Sequence, residues 1–256
     1  MFSPEYEVAD AFVPSVSSGW CHRCQTTHAL PSEPAREECL ALMALLRHHR
    51  RIDWSVPGAM ADPRCSTEPL FGTAGGKMFG VLCCRDARGV RKVLRAFSGQ
   101  LNGLWQVDGW VTPIFDVAAF DALIRGPEQE IKRIGREMAV LSKGSVRQRQ
   151  YMLERKTRSQ QLMREIHELY HLVNFRGEVV PLVKAFCGNG APPSGTGDCC
   201  GPKLLHHAAV NGLRPEGMAE FYWGRSTASA TRIHARFYPS CVAKCGQILG
   251  FQLCGL

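Results

Sequence analysis

The sequence predicts an α+β fold, in which a mixed β-sheet packs against helices and a long basic helical hairpin is inserted into the body. Residues 76–84 and 90–101 flank a short Gly-containing turn and have the apolar content of paired strands. Between residues 127 and 173, apolar positions recur every three or four residues, which is typical of helices. The apolar content of 45% and charged content of 21% are ordinary for a folded chain of 256 residues.

Residues 1–75 are predicted to form an irregular N-terminal segment with one helix. Prolines interrupt the first 35 residues, and residues 36–51 place apolar side chains on one helix face. The acidic start of the chain lacks the basic and apolar regions of a signal peptide. No apolar run reaches the roughly 18 residues that a membrane span needs. We therefore expect a cytoplasmic protein.

Residues 76–256 are predicted to form the α+β domain. Its strand pair is followed by a strand or extended segment at 104–116 and a short helix at 117–124. The helical hairpin is then inserted at about 126–174, with residues 143–145 as the break between its helices. The chain closes with a helix, a strand and a helix, at 200–211, 216–224 and 241–250.

The net charge of +8 is concentrated in one segment. Residues 132–164 hold ten lysines and arginines against two glutamates, so this segment accounts for the whole excess of positive charge. Such an unmixed run predicts a phosphate-binding surface for nucleic acid, although a solvated helix face is the simpler alternative. The predicted binding residues are Lys132, Arg133, Arg136, Lys143, Arg147, Arg149, Arg155, Lys156, Arg158 and Arg164.

Twelve cysteines are many for an intracellular chain, where clustered thiols are typically metal ligands or buried small groups. Cys199 and Cys200 stand at the start of one predicted helix, and Cys241 and Cys245 at the start of another. Three interpretations stay open: a tight turn capped by Asp198 that leads into a packed helix, one structural zinc shared by the four thiols, or a nucleophilic cysteine.

A second cysteine motif, Cys21-x-x-Cys24, is half of a possible zinc knuckle. A structural zinc needs four ligands, and no standard spacing identifies the other two, so a chance pair is an equal alternative. The candidate partners are Cys39, Cys65, His22 and His28.

His167, Glu168 and His171 match the H-E-x-x-H pattern. On a helix the two histidines would share a face and hold zinc, with the glutamate as the base of a metalloprotease. A third ligand would have to come from downstream, and the alternative is a pair of half-exposed helix histidines. The candidates for that third ligand are Glu178, His206 and His207.

The order of strand hairpin, cysteine-bearing helix, strand and second cysteine-bearing helix resembles the core of zinc-dependent nucleoside deaminases. In that family a histidine or cysteine opens one helix, two cysteines open the next, and a glutamate carries the proton. Gly201 and Pro202 stand where that glutamate is expected, and the second pair is spaced C-x3-C. The resemblance implies a deaminase-like zinc enzyme acting on a nucleobase as an alternative function.

A longer resemblance runs from about Lys77 to Leu256. Several ordered segments resemble the N-terminal extension that precedes the catalytic domain in a subset of bacterial RluA-type pseudouridine synthases. This resemblance implies an RNA-binding accessory protein in an RNA-modification setting, with structured RNA (tRNA or rRNA) and a separate pseudouridine synthase as partners. No H-R-L-D-like motif occurs, so we expect no catalysis by this chain alone. The segments are "GKMFGVLCCRDARGVRKVLRAFSGQLNGLWQVDGWV", "LMREIHELYHLVNFRGE", "GTGDCCGPKLLHHAA", "GLRPEGMAEFYWG" and "RFYPSCVAKCGQILGFQLCGL".

Overall fold

The computed structural model describes residues 15–256. The strands of this part of the chain are β1 (Val16–Cys21), β2 (Thr26–Pro31), β3 (Lys77–Arg85), β4 (Arg91–Phe97), β5 (His171–Val173), β6 (Val179–Pro181), β7 (Arg214–Trp223) and β8 (Phe237–Tyr238). The α-helices are α1 (Arg36–His49), α2 (Val117–Ala139), α3 (Val146–Glu168), α4 (Leu182–Ala185), α5 (Cys200–Val210) and α6 (Gly246–Gln252).

The central sheet has the strand order β4-β3-β7-β8. Two further hairpins, β1-β2 and β5-β6, form small sheets of their own. The α+β class, the packed helices and the inserted helical hairpin are therefore confirmed. Every pairing among residues 15–256 is antiparallel, where a mixed sheet was expected. A tight turn joins β3 to β4, and α5 returns the chain so that β7 runs beside β3 in the opposite direction.

Helices cover both faces of the central sheet. Along β3, Phe79 and Val81 point to the core that includes α1, whereas Leu82 points to the core that includes α5. This alternation follows from the two-residue period of a strand. Leu204 and Leu205 of α5 are fully buried, as the packed-helix interpretation of the 199–200 turn requires.

The N-terminal segment is more regular than expected. Residues 16–31 form a β-hairpin, whose turn closes where the Gln25 N–H donates to the Cys21 carbonyl at 2.9 Å. Both strands carry several polar residues, so no alternating pattern marks them in the sequence. The predicted helix is confirmed as α1, and the expectation for residues 1–14 lies outside the described residues.

The helical hairpin consists of α2 and α3, which have 23 residues each. The predicted break at 143–145 is confirmed: Gly144 has φ of 79°, and the Ser145 side chain caps α3 by accepting from the Gln148 N–H. Two boundaries differ from expectation. The helix from residue 117 continues through Pro127, and α3 ends at Glu168, where the chain enters β5.

Two smaller expectations are also corrected. Residues 104–116 form no strand apart from a bridge between Leu101 and Leu104, and the last helix begins at Gly246 rather than at residue 241. Among residues 15–256, no helix combines the length and apolar character that a membrane span requires.

Candidate metal centre and basic helical hairpin

Four metal-ligating side chains meet where the β1-β2 turn contacts the end of α6. Cys21 ends β1, Cys24 lies in the turn, His28 lies on β2, and Cys254 follows α6. Their ligand atoms all lie within 4.8 Å of one another. This cluster, which we call the knuckle cluster, could hold a metal ion.

The geometry of the knuckle cluster is close to that of a bound site. The sulfurs of Cys24 and Cys254 are 3.4 Å apart. Two sulfurs on one tetrahedral zinc would be roughly 3.8 Å apart, given Zn–S bonds of about 2.3 Å. The Nε2 atom of His28 is buried and has no hydrogen-bond partner. A buried nitrogen without a partner is costly, and a metal ion would satisfy it.

Residues 174–178, which we call the exit segment because they follow α3 and β5, lie beside the knuckle cluster. The Arg176 Nε donates to the Cys254 sulfur at 3.3 Å, and its Nη2 lies 4.0 Å from the Cys24 sulfur. Glu178 forms an ion pair with Arg23 of the β1-β2 turn. Hydrogen bonding from Cys254 is the main cause that lowers the pKa of Cys24, with smaller contributions from Cys21 and Arg176.

The structure decides among the candidate partners of Cys21-x-x-Cys24. Cys39 and Cys65 are buried in the hydrophobic core, so they are not part of the cluster. His28 is a partner, and Cys254 is a further partner that no sequence pattern identified. It lies 230 positions from Cys24, and no spacing rule spans that distance.

The four thiols predicted to share zinc do not converge. Cys200 is fully buried against the sheet, where its sulfur donates to the carbonyls of Met78 and Ala96. Cys199, by contrast, interacts with both Cys241 and Cys245. The remaining three are less closely gathered than the knuckle cluster. Hydrogen bonding from Cys199 is the main cause that lowers the pKa of Cys241 to about 5, and backbone N–H groups of its own loop add to it.

A buried carboxylate lies next to these three thiols. Glu220 of β7 is 4% exposed and accepts a 2.6 Å hydrogen bond from Ser240. Its Oε1 lies 3.2 Å from the position that a Cβ on Gly201 would occupy, so the glycine leaves room for the carboxylate. Burial raises the pKa of Glu220 from 4.5 to about 7. No sequence signal pointed to Glu220, because it is separated along the chain from both the Cys199-Cys200 pair and the Cys241/Cys245 pair.

The raised pKa of Glu220 has a consequence for stability. The native state holds a proton that the unfolded state has released between pH 4.5 and 7, so ionisation destabilises the fold as pH rises through this window. We expect Glu220→Gln to be more stable than the parent at pH 8, by up to about 3 kcal/mol. The gain should vanish towards pH 4. Urea unfolding at pH 8 and at pH 4 measures the difference in unfolding free energy between the variant and the parent. An equal difference at both pH values would contradict the raised pKa of Glu220.

Asp198 does not cap α5, contrary to expectation. The N-cap residue is Cys199, and it makes no side-chain cap hydrogen bond. The Asp198 carboxylate instead accepts a 2.6 Å hydrogen bond from the Tyr170 hydroxyl. The Gly-rich turn is thereby fixed to the base of the helical hairpin rather than to its own helix.

The H-E-x-x-H pattern does not form the predicted zinc-protease site. His167 is on α3 and 3% exposed, but Glu168 is the last helical residue, and the exposed His171 begins β5. The two histidines therefore share no helix face. The alternative of two half-exposed helix histidines is also wrong. Pairing of β5 with β6 ends the helix before the second histidine.

All ten predicted RNA-binding side chains are exposed on the helical hairpin. Three of them form ion pairs on the helix surface: Lys132 with Glu128, Arg133 with Glu130 and Glu137, and Arg158 with Glu130 and Glu154. The other seven have no ion pair with any residue in 15–256. They are Arg136, Lys143, Arg147, Arg149, Arg155, Lys156 and Arg164.

The distal half of the hairpin packs against little else. The buried residues of α2 and α3 are Ile134, Leu162 and His167, and two of them, Leu162 and His167, lie nearer the base. Towards the tip, large apolar side chains are exposed alongside the unpaired cations, with Val140 85% and Leu153 66% exposed. A surface that combines free positive charge with uncovered apolar groups has the composition of a binding surface.

Comparison of the chain with family models, with curated proteins and with solved structures found no match.

Proposed function

We propose that this protein binds structured RNA through the helical hairpin formed by α2 and α3. The observation that carries the proposal is the set of seven exposed cations without ion pairs on that hairpin. Arginines predominate among them, and the planar guanidinium suits bidentate phosphate contact. Arg147 lies over the ring of Tyr151, at 5.9 Å, which is the one aromatic group between 132 and 164. Phosphate contact therefore outweighs base readout.

The resemblance to the RluA-type extension gives this binding its proposed context. The protein would act as an accessory module in pseudouridine synthesis, presenting tRNA or rRNA to a separate synthase. The absence of an H-R-L-D-like motif is consistent with no catalysis by the chain alone. The exposed charges of the hairpin also suit a surface that binds the phosphate backbone of a folded RNA from outside.

Salt dependence of binding tests the proposal. We expect a fluorescently labelled tRNA to bind with a steep decrease in affinity as salt rises, because each neutralised phosphate releases counterions. With about five to seven contacts, the logarithm of affinity should fall with a slope of roughly −4 to −6. Affinity should differ little between unrelated structured RNAs. Absence of binding at 50 mM salt, or binding without a salt slope, would contradict the proposal.

We also propose that the metal of the knuckle cluster is one structural zinc. Three thiols and one imidazole form a closed donor set of the Cys3His type, which zinc prefers in structural sites. Four protein ligands would complete a tetrahedral zinc and leave no coordination position for a substrate. Metal analysis of protein purified under reducing conditions should find about one zinc per chain.

One observation favours a second candidate, a deaminase-like enzyme acting on a nucleobase. Glu220 lies beside Gly201 and is electrostatically coupled to Cys199 and Cys241, so a carboxylate is present even though the expected helix position lacks one. Three thiols with a nearby carboxylate are the groups that such chemistry uses. Ammonia release from a free base or nucleotide by the parent, lost in Glu220→Gln, would favour this candidate over RNA binding alone.

A further inference from the structure

The two ends of the described chain meet at the knuckle cluster. β1 packs backbone against backbone on α6, since a Cβ on Gly19 or Gly250 would overlap the main chain of the other element. Past α6, Gly255 has φ of 107° and lies against the backbone of Phe175 in the exit segment. The Phe175 N–H donates to the Cys254 carbonyl at 3.0 Å. Three separate parts of the chain are therefore in contact around these thiols.

The exit segment reaches the thiols through side chains as well. Arg176 contacts the sulfurs of both Cys254 and Cys24, which come from different parts of the chain. The Asn174 side chain holds the segment in shape by accepting from the N–H groups of Arg176 and Glu178 at 3.0 and 2.9 Å. The guanidinium is therefore held in position beside the sulfurs.

The net charge of the knuckle cluster with zinc bound would account for an arginine beside its sulfurs. Three thiolates and one neutral imidazole around a zinc ion carry a net charge of −1. Arg176 is the cation in contact with two of the three sulfurs. Groups that hydrogen-bond to metal ligands orient them and adjust their basicity.

We propose that the zinc centre is a clasp that holds the β1-β2 hairpin, the end of α6 and the exit segment together, with Arg176 as the cation that balances its charge. The proposal rests on the structural zinc proposed above. When the metal is removed, the thiols take up protons and the reason for the arginine contact disappears. All three elements then loosen together, including the segment through which the chain leaves the helical hairpin.

Hydrogen exchange tests the clasp. Zinc content is measured first, and the zinc-loaded protein is then compared with protein stripped by a chelator under reducing conditions. We expect faster exchange after stripping in β1-β2, in the exit segment and in α6, with β3-β4 unchanged. Exchange that rises only in residues 21–28, in a protein shown to contain zinc, would overturn the clasp. Protein that contains no zinc as purified and takes up none would instead contradict the structural zinc itself.

The role of Arg176 has a separate test in a variant that should fold normally, because the side chain is exposed. We expect Arg176→Gln to bind zinc about 10- to 100-fold more weakly, as changes to groups that contact metal ligands do. Competition with a chromophoric chelator measures the affinity, and the charge-transfer band of the cobalt-substituted protein should shift. Arg176→Lys should restore part of the loss. Arg88→Gln, which removes the same charge from the β3-β4 turn, is the matched control. Affinity and band equal to those of the parent would overturn the role of Arg176.

Discussion

Reversing Arg147, Arg149, Arg155 and Lys156 to glutamate should abolish RNA binding and leave the fold intact. These four side chains are exposed on α3 and have no ion pair in the described part of the chain, so their reversal breaks no ion pair there. Arg147 loses its contact with the Tyr151 ring, which is a surface contact within one helix. Each phosphate contact contributes close to one unit of salt slope, and the reversal replaces attraction with repulsion at each position. We expect affinity for labelled tRNA to fall by more than about 100-fold, with a slope smaller by about three.

The control for this experiment changes the same amount of charge elsewhere. Arg47, Arg88, Lys184 and Arg225 are exposed and lie outside the hairpin, and their reversal should weaken binding only slightly. Circular dichroism and melting temperature check the fold of both variants. An equal loss of RNA affinity in the two variants would show that binding responds to net charge alone. An affinity of the hairpin variant equal to that of the parent would place the RNA site elsewhere. Arg158 is left unchanged because it pairs with Glu130.

Removal of the zinc should lower the melting temperature of the protein by a measurable amount. A ligand present at about 1,000 times its dissociation constant stabilises the native state by about 4 kcal/mol. In a chain of this size that free energy corresponds to a melting temperature about 10 °C higher. We therefore expect Cys254→Ser, or treatment of the parent with a chelator, to lower the melting temperature by about 10 °C. Chelator treatment of Cys254→Ser should lower its melting temperature no further, because the variant has already lost the metal.

Cys187→Ser is the matched control for the ligand variant. Cys187 lies near the knuckle cluster and its sulfur donates to the Trp20 carbonyl, but it does not belong to the set of four. This variant should keep its zinc and most of its stability, since a serine hydroxyl can make the same hydrogen bond. If chelation leaves the melting temperature of the parent unchanged while zinc is lost, the metal does not stabilise the fold.

The elements that the sequence predicted well are those with long, local signals. The helical hairpin was visible from its apolar period, its charge and the Lys143-Gly144-Ser145 break, all of which lie within one stretch of chain. The β3-β4 pair was likewise marked by an apolar run on either side of a turn. In both cases the residues that determine the structure are neighbours in the chain.

The structural features that the sequence did not predict depend on contacts between distant segments. β1 and β2 are short and partly polar, and they are held by packing on α6. Leu172 is fully buried, and its strand pairing ends α3 ahead of His171, against the helical pattern. Cys254 and Glu220 carry no motif, and only the fold brings them to their clusters. The RNA-binding role remains a prediction from charge and resemblance.

The separation of Cys24 and Cys254 by 230 positions has a consequence for how the protein is made. Synthesis proceeds at about 5–20 residues per second, so Cys254 is added roughly 10–50 s after Cys24. During that interval the β1-β2 hairpin has neither α6 to pack against nor its last thiol. The cysteines of the N-terminal segment must therefore remain without their fourth ligand until Cys254 has been added, and the knuckle cluster closes only after that point.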